Sequence, residues 1–202
     1  MKDWNKRYRE AAEPPFGTQP SEYLRQILAR SDVEIGSALL PADGDGRNGR
    51  WLAGRGIAVT AVDISDVATA QARIADGLAG CAAERIAADL DRWAPDPGRA
   101  WDAVFIIALH GPAGLRARLV RNAAGWLGPG GWLAIEGFSA AGVAGSGPGP
   151  KEADKLWDVA TTLDWLEGVE MLEAFEGMAL LDEGPRHQGA SRMVRLLGRR
   201  RI

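Results

Sequence analysis

Leu39-Leu40-Pro41-Ala42-Asp43-Gly44-Asp45-Gly46-Arg47-Asn48-Gly49 decides the fold of this chain. Two apolar residues lead into a glycine-containing turn, and a helix-compatible run, Arg50-Trp51-Leu52-Ala53, follows at once. That is the first strand–loop–helix joint of a doubly wound α/β sheet, the place where such sheets hold nucleotide-like ligands. Gly44 and Gly46 allow backbone angles closed to other residues, so a ligand can lie against the main chain. The spacing Gly44-x-Gly46-x-x-Gly49 also fits the dinucleotide fingerprint, a pattern of low specificity when it stands alone.

Charge separates the candidate ligands. A pyrophosphate would sit on the open amides at the helix start, with Asp43 and Asp45 in or beside its path. Two carboxylates repel a dianion and attract a cation. S-adenosylmethionine carries a sulfonium and an ammonium against one carboxylate, so it suits the loop better than a nicotinamide dinucleotide. The alternative in which the glycines form only a strand–helix turn stays open.

Composition narrows the class. The 202 residues fit one domain with a real core, and the apolar fraction of 46% and charged fraction of 25% are ordinary for a globular protein. A net charge of −3 gives no electrostatic footprint for nucleic acid or an anionic membrane. Cys81 is the single cysteine, which excludes an intrachain disulfide and a cysteine-based metal site; no metal is expected. The first residues lack the apolar core of a signal peptide, and no run is long and apolar enough to span a membrane. The expectation is a cytoplasmic protein acting on a small molecule, with neither nucleic acid nor membrane as partner.

The remaining elements follow outward from the loop. Residues 3–12 and a second helix opening at Pro20-Ser21-Glu22 precede the first strand, with Tyr23, Leu24, Ile27 and Leu28 on one face. They form a helical cap over residues 1–35. Trp4, Arg7 and Tyr8 lie within about one turn; they either pin the cap to the core or touch the ligand, and Arg7 has the forked donors that suit a carboxylate. Ile57–Val62 reads as the second strand, ending at Asp63, where an acid can accept from both ribose hydroxyls. Ser65 caps the helix that follows, whose inward face is expected to be Val67, Ala70, Ile74 and Leu78. Arg85–Ala88 is a short third strand delivering Asp89 and Leu90, as an adenine contact or as a plain loop carboxylate and its neighbour.

Trp101–Ile107 is apolar enough for a central fourth strand. It leads to Ala108-Leu109-His110-Gly111-Pro112 at the cleft edge, then a helix with Leu115, Leu119, Ala123 and Trp126 buried. Gly128-Pro129-Gly130-Gly131 should turn into a fifth strand, Trp132–Glu136. The glycine- and proline-rich stretch 137–157 is too long for a plain connection and reads as a lid. A short helix over Val159–Leu166 and two strands, Val169–Phe175 and Arg192–Leu197, complete the chain. With no helix between them, the last two strands pair antiparallel.

Several stretches together resemble the class I S-adenosylmethionine-dependent methyltransferases, and within them the small bacterial tellurite-resistance branch akin to thiopurine methyltransferases. They are Trp4-x-x-Arg7-Tyr8, Phe16-Gly17-Thr18-x-Pro20, Ala42 to Asn48, Val59 to Ser65, Pro129-Gly130-Gly131, Glu136-Gly137-Phe138 and Leu181-Asp182-Glu183-Gly184-x-x-His187-x-Gly189. The resemblance runs nearly end to end. It implies a Rossmann-like seven-stranded sheet, mostly parallel with an antiparallel last strand, helices on both faces and an N-terminal helical cap, in a single methyltransferase domain over 1–202. It also implies S-adenosylmethionine as cofactor. The chain departs from the pattern where most class I members carry glycine at Ala42 and an acid at Leu40, and where the lid reads Gly147-Pro148-Gly149-Pro150-Lys151 rather than Gly-Gly-Pro-Lys.

The candidate donor-binding residues are therefore Trp4, Arg7, Ala42, Asp43, Gly44, Asp63, Ile64, Asp89 and Leu90. Methyl transfer is an in-line displacement, with orientation supplied by the protein. A thiolate acceptor needs no strong base, whereas a neutral hydroxyl or amine needs one, and histidine suits that work near pH 7. His110 and His187 are the two histidines, both placed on loops, with His110 the first candidate for catalysis and His187 the second. Ordinary loop-anchoring roles stay open for both. Two rival readings share the loop: a nicotinamide-dependent oxidoreductase, which lacks its Tyr-x-x-x-Lys pair here, and a non-catalytic S-adenosylmethionine-binding module.

Overall fold

The computed structural model describes residues 3–142 and 148–202. The chain forms two compact units, one comprising the residues up to Ala94 with Asp182–His187, the other Pro95–Leu181 with Gln188–Ile202. The five residues 143–147, the middle of the expected lid, lie outside the described residues.

In the first unit, α1 (Trp4–Glu10) and α2 (Glu22–Leu28) precede β1 (Ser37–Pro41), α3 (Arg47–Ala53), β2 (Ala58–Asp63), α4 (Asp66–Leu78) and β3 (Glu84–Ala87). Each of α1, α2 and α4 starts where the sequence supplies a side-chain acceptor: Asp3 takes the Lys6 amide, Ser21 that of Leu24, and Ser65 that of Ala68. The strands are parallel, Ser37 to Pro41 against Ala58 to Val62, and Thr60 to Asp63 against Glu84 to Ala87. Ala38, Leu39 and Leu40 are fully buried, as in a strand covered on both faces. Pro41 has no amide to give, but the next residue restores the ladder: Ala42 N–H donates to Val62 O at 2.7 Å.

One face prediction fails. In α4 the buried residues are Ala68, Thr69, Ala72 and Asp76, while Ile74 and Leu78 are 66% and 86% exposed. The reason lies in close packing and charge. A Cβ on Gly46 would come within 2.8 Å of the Ala72 Cβ, so only small residues fit on that face. Asp76 turns inward because a buried guanidinium, that of Arg85, takes both its oxygens at 2.9 and 3.0 Å.

The second unit contains β4 (Trp101–Ile107), α5 (Ala113–Trp126), β5 (Leu127–Phe138), α6 (Val159–Asp164), β6 (Val169–Gly184) and β7 (His187–Arg200), the hairpin tip of the last two belonging to the first unit. α5 buries Leu119, Ala123 and Trp126 as its spacing predicts and Val120 with them, while Leu115, expected on the same face, is only half-buried. β4 and β5 are parallel, β5 and β7 antiparallel. Gly128–Gly131 does not form a separate turn: β5 begins at Leu127, and the register jumps from Trp101–Leu127 to Ala103–Trp132. Pro129-Gly130-Gly131 is thus an irregularity inside the strand, where Gly130 takes φ +71°. The last two strands are much longer than predicted. Only Pro185 and Arg186 separate them, so the expected loop over 181–189 is a tight hairpin and His187 is the first residue of β7, not a loop residue.

The strands hydrogen-bond in the order β3-β2-β1-β4-β5-β7-β6, a seven-stranded mixed sheet, mostly parallel with antiparallel last strands. Among the described residues no helix is long and apolar enough to cross a membrane.

Candidate functional site

The glycine loop of the first unit connects β1 to α3. Ala42, Gly44 and Gly46 take φ of +61°, +57° and +84°, so the backbone turns left-handed at every second residue. Gly44 lies under the Tyr8 side chain: a Cβ there would fall 2.2 Å from the Tyr8 hydroxyl oxygen. The other two glycines of the fingerprint have a different cause. Cβ atoms on Gly46 and Gly49 would strike the Arg85 guanidinium at 2.7 and 2.8 Å, and on Gly49 the Asp43 carboxylate at 2.5 Å. Gly44-x-Gly46-x-x-Gly49 therefore makes room for a tyrosine and a buried ion pair.

That ion pair revises the charge argument for the loop. Asp43 is buried, accepts the Gly49 amide and is bridged to Arg85, which also holds Asp76 and donates to Gly46 O. Burial pushes the Asp43 carboxyl up to about 6, against the pull of Arg85 and of the Gly49 amide. Its charge is spent on Arg85 inside the protein. The carboxylates left to act on a ligand are Asp45 and Asp63.

Asp63, at the tip of β2, braces the loop. Its Oδ2 accepts the Gly44 amide and its Oδ1 the Ser65 amide, each at 2.8 Å. Burial raises its pKa, opposed by the amides of Ser65, Gly44 and Ile64. Burial likewise raises Asp45, which Arg47 and Arg50 counter. Burial, and after it the carboxylates of Asp63, Asp45 and Asp43, hold the Tyr8 hydroxyl protonated well above its ordinary range. Ile64, next to Asp63, is 42% exposed and offers an apolar surface. Leu90 is buried, and Asp89 closes its own turn by accepting the Asp91 amide.

Trp4 and Arg7 come together, but with each other. The Arg7 guanidinium stacks 4.7 Å over the Trp4 ring, and its pKa is lowered by burial and by Arg186. Trp4, Tyr8 and Phe16 form an aromatic cluster, and Phe16 extends it to His187 at 5.2 Å. α1 is fixed to the tip of β2 by the Ser65 hydroxyl, which donates to Asn5 Oδ1 at 2.7 Å.

His187 belongs to a buried network at the hairpin tip. Its Nδ1 lies 3.3 Å from Arg47 Nη2 and 3.4 Å from Glu183 Oε2, while Arg47 and Glu183 pair at 2.8 Å. Arg47 also donates to Gln19 O, and Glu183 accepts the Glu22 amide. Burial alone would raise Glu183, yet His187, Arg47 and the Glu22 amide hold it at about 2. Spacing along the chain gives no sign of this network: Arg47 and Glu183 stand 136 residues apart. Arg47, Arg85 and Glu183 are the loop's supports that the sequence reading did not single out, and Tyr8, which it placed in the cap, lies directly over Gly44.

His110 is in the second unit, beyond the end of β4. Its Nδ1 is 3.1 Å from Lys155 O. A carbonyl only accepts, so Nδ1 carries the proton. The ring leans on Phe138 at 5.1 Å. The segment is braced on both sides: Trp157 Nε1 donates to Leu109 O at 2.9 Å, and Arg116 donates to Gly111 O and Asp154 O. Gly137 is glycine because a Cβ would fall 2.1 Å from the Trp157 ring. Among the described residues no group of histidine, cysteine and acidic side chains is arranged to hold a metal.

Residues 41–131 match the family model described as a methyltransferase domain. No curated protein matches the chain in sequence. Solved structures match its fold over most of its length. One, described for the conversion of a disulfide bond into a thioacetal group during echinomycin biosynthesis, is 20% identical with TM-score 0.75, covering 98% of this chain and 90% of that one. The N-methyltransferase NodS from Bradyrhizobium japonicum WM9 in complex with S-adenosyl-L-homocysteine is 15% identical with TM-score 0.71, covering 98% and 99%. TehB from Haemophilus influenzae is 16% identical with TM-score 0.69, covering 98% of this chain and 66% of its own. The domain match over residues 41–131 and the strand order together put a methyltransferase domain on a Rossmann-like methyltransferase fold, the fold of enzymes whose methyl donor is S-adenosylmethionine.

Proposed function

We propose that this methyltransferase holds its donor in the first unit and transfers the methyl group to a small-molecule acceptor. The observation that carries the donor assignment is Asp63. Its two oxygens brace the Gly44 and Ser65 amides at the tip of β2, the place in such sheets where an acid accepts from the ribose hydroxyls. The donor's other parts fit what surrounds it: Ile64 supplies an apolar face for the purine, with Leu90 and Asp89 as further adenine contacts. The left-handed backbone of Ala42 and Gly44, under the protonated Tyr8 hydroxyl, receives the amino-acid end. Asp43 acts through Arg85, fixing the loop. Trp4 and Arg7 close the cap, with Arg7 as the carboxylate partner.

When bound, S-adenosylmethionine supplies an activated methyl on a positively charged sulfur. The chain's task is then orientation and, for a neutral acceptor, proton removal. We assign that second task to His110, whose ring is held in one orientation by the Lys155 carbonyl on Nδ1. His187 we assign to holding Glu183 and Arg47 in place rather than to proton transfer.

The chain is read as one catalytic domain over 1–202, with 1–35 as its cap and 137–157 as its lid. The tellurite-resistance and thiopurine-methyltransferase-like branch is supported by the motif set and by the likeness to TehB. A cytoplasmic enzyme without nucleic-acid or membrane partners is the reading that the charge and composition favour. A calorimetric titration tests the donor site: S-adenosylhomocysteine is expected to bind and NAD to give no heat. Asp63→Asn should weaken S-adenosylhomocysteine by about tenfold or more, the loss of charge-assisted hydrogen bonds. Tight NAD binding with no heat from S-adenosylhomocysteine would overturn the assignment.

A further inference from the structure

The second unit holds a cavity of about 270 Å³ at the C-terminal end of β5. Phe138, Leu156 and Met178 give it apolar walls, and Ser191, Arg192 and Lys151 give it polar ones. Two independent features point to a ligand. The Ser191 hydroxyl is buried and has no hydrogen-bond partner among the described residues, which native interiors rarely tolerate. Two cationic side chains, Lys151 and Arg192, line the same space, and no carboxylate is among the described residues lining it. The nearby Glu176 is engaged by the Ser139 hydroxyl.

We propose that this cavity binds a small organic anion with an apolar body, the chemical class of the methyl acceptor. The anionic group would meet Arg192 and Lys151 at charge-assisted distance. The Ser191 hydroxyl would complete its hydrogen bonding on the ligand, and a single-ring body would cover Phe138, Leu156 and Met178. The volume lies just under the usual range for small-molecule sites, too small for a peptide or a nucleic acid strand. A bare oxyanion would leave the apolar walls without a partner. The inference rests on the methyltransferase reading for the name acceptor, while the anion site itself stands on the cavity.

The test is a titration of the full-length chain with benzoate, its neutral isostere benzamide, and tellurite, with S-adenosylhomocysteine titrated in parallel. Benzoate is expected to bind at least tenfold more tightly than benzamide or tellurite. Arg192→Gln and Lys151→Gln should each weaken benzoate several-fold, and Ser191→Ala should weaken it while S-adenosylhomocysteine affinity stays unchanged. Equal binding of benzamide, tighter binding of tellurite, or no effect of the three substitutions would overturn the proposal. S-adenosylhomocysteine binding without benzoate binding would sink this inference and leave the donor site standing. Benzoate binding without S-adenosylhomocysteine binding would do the reverse.

Discussion

Two loops in this protein are built on the same backbone device and secured by different forces. After β1 and after β4 the chain places an alanine in the left-handed region, Ala42 at φ +61° and Ala108 at φ +56°. In each case that residue's amide still reaches the neighbouring strand, Ala42 to Val62 O and Ala108 to Glu136 O. No other non-glycine residue among those described has a positive φ. Beyond that point the two diverge. The Ala42 loop is held by buried charge, through Asp43, Arg85 and Asp76, whereas the Ala108 segment is held by an indole, a guanidinium and main-chain carbonyls. Charge sets geometry tightly but fails badly when one partner is lost, while neutral bracing gives way by smaller steps.

The largest expected effect comes from removing the central cation. Arg85→Met leaves Asp43 buried with no counter-charge and Asp76 with only Arg50 at 4.0 Å, and should cost about 3–5 kcal/mol in denaturant unfolding. The variant should regain stability as pH is lowered from 8 to 5, because the buried Asp43 carboxyl, already raised beside Arg85, then folds protonated. Arg116→Met removes a guanidinium whose hydrogen bonds go to carbonyls, and should cost only about 1–3 kcal/mol. Equal losses for the two would erase the contrast.

Glu183 comes next, and its sign is opposite to that of Asp43. The Glu183 carboxyl is held at about 2 in the fold against an ordinary 4.5. Its contribution is therefore complete above pH 4.5 and disappears as pH falls toward 2, a span of about 3 kcal/mol. Asp43, pushed up to about 6 from 3.8, instead costs stability as pH rises through that interval. Glu183→Gln should flatten the acid limb of the stability curve, measured by unfolding at pH 5, 4 and 3. An unchanged limb would show that Arg47 and His187 do not hold the charge.

The smallest effect sharpens the comparison at its root. A left-handed alanine costs about 1–2 kcal/mol and glycine adds about 0.5–1 kcal/mol of chain entropy. Ala42→Gly and Ala108→Gly should thus each raise stability by about 0.5–1 kcal/mol. A loss at either position would mean that the methyl group packs better than its backbone strains.

The strand–loop–helix joint, the acid after β2 and the antiparallel run of the last strands were legible because each follows from local pattern plus the rules of chain connection, while the seven-stranded sheet was read from the family resemblance. The supports were not. Asp43 reads as a ligand-facing acid until Arg85, 42 residues away, is seen to neutralise it. The wrong face for α4 has the same origin, since Asp76 is drawn inward by that arginine and Ala72 by the need to clear Gly46. Pairings between distant charges leave no period in a sequence. His187 looked like a loop residue because its neighbours Gly184, Pro185 and Gly189 are turn formers, while the turn itself needs only two residues.

The hairpin tip carries one more consequence, for how the chain is made. Arg47 waits for Glu183, and the Glu22 amide waits for the same carboxylate 161 residues downstream. During synthesis Arg47 leaves the ribosome 136 residues ahead of Glu183, its counter-charge. Contacts that span so much chain form late and slow the search. The glycine loop is thus completed only by a hairpin far downstream, and its final shape is one of the later things the chain acquires.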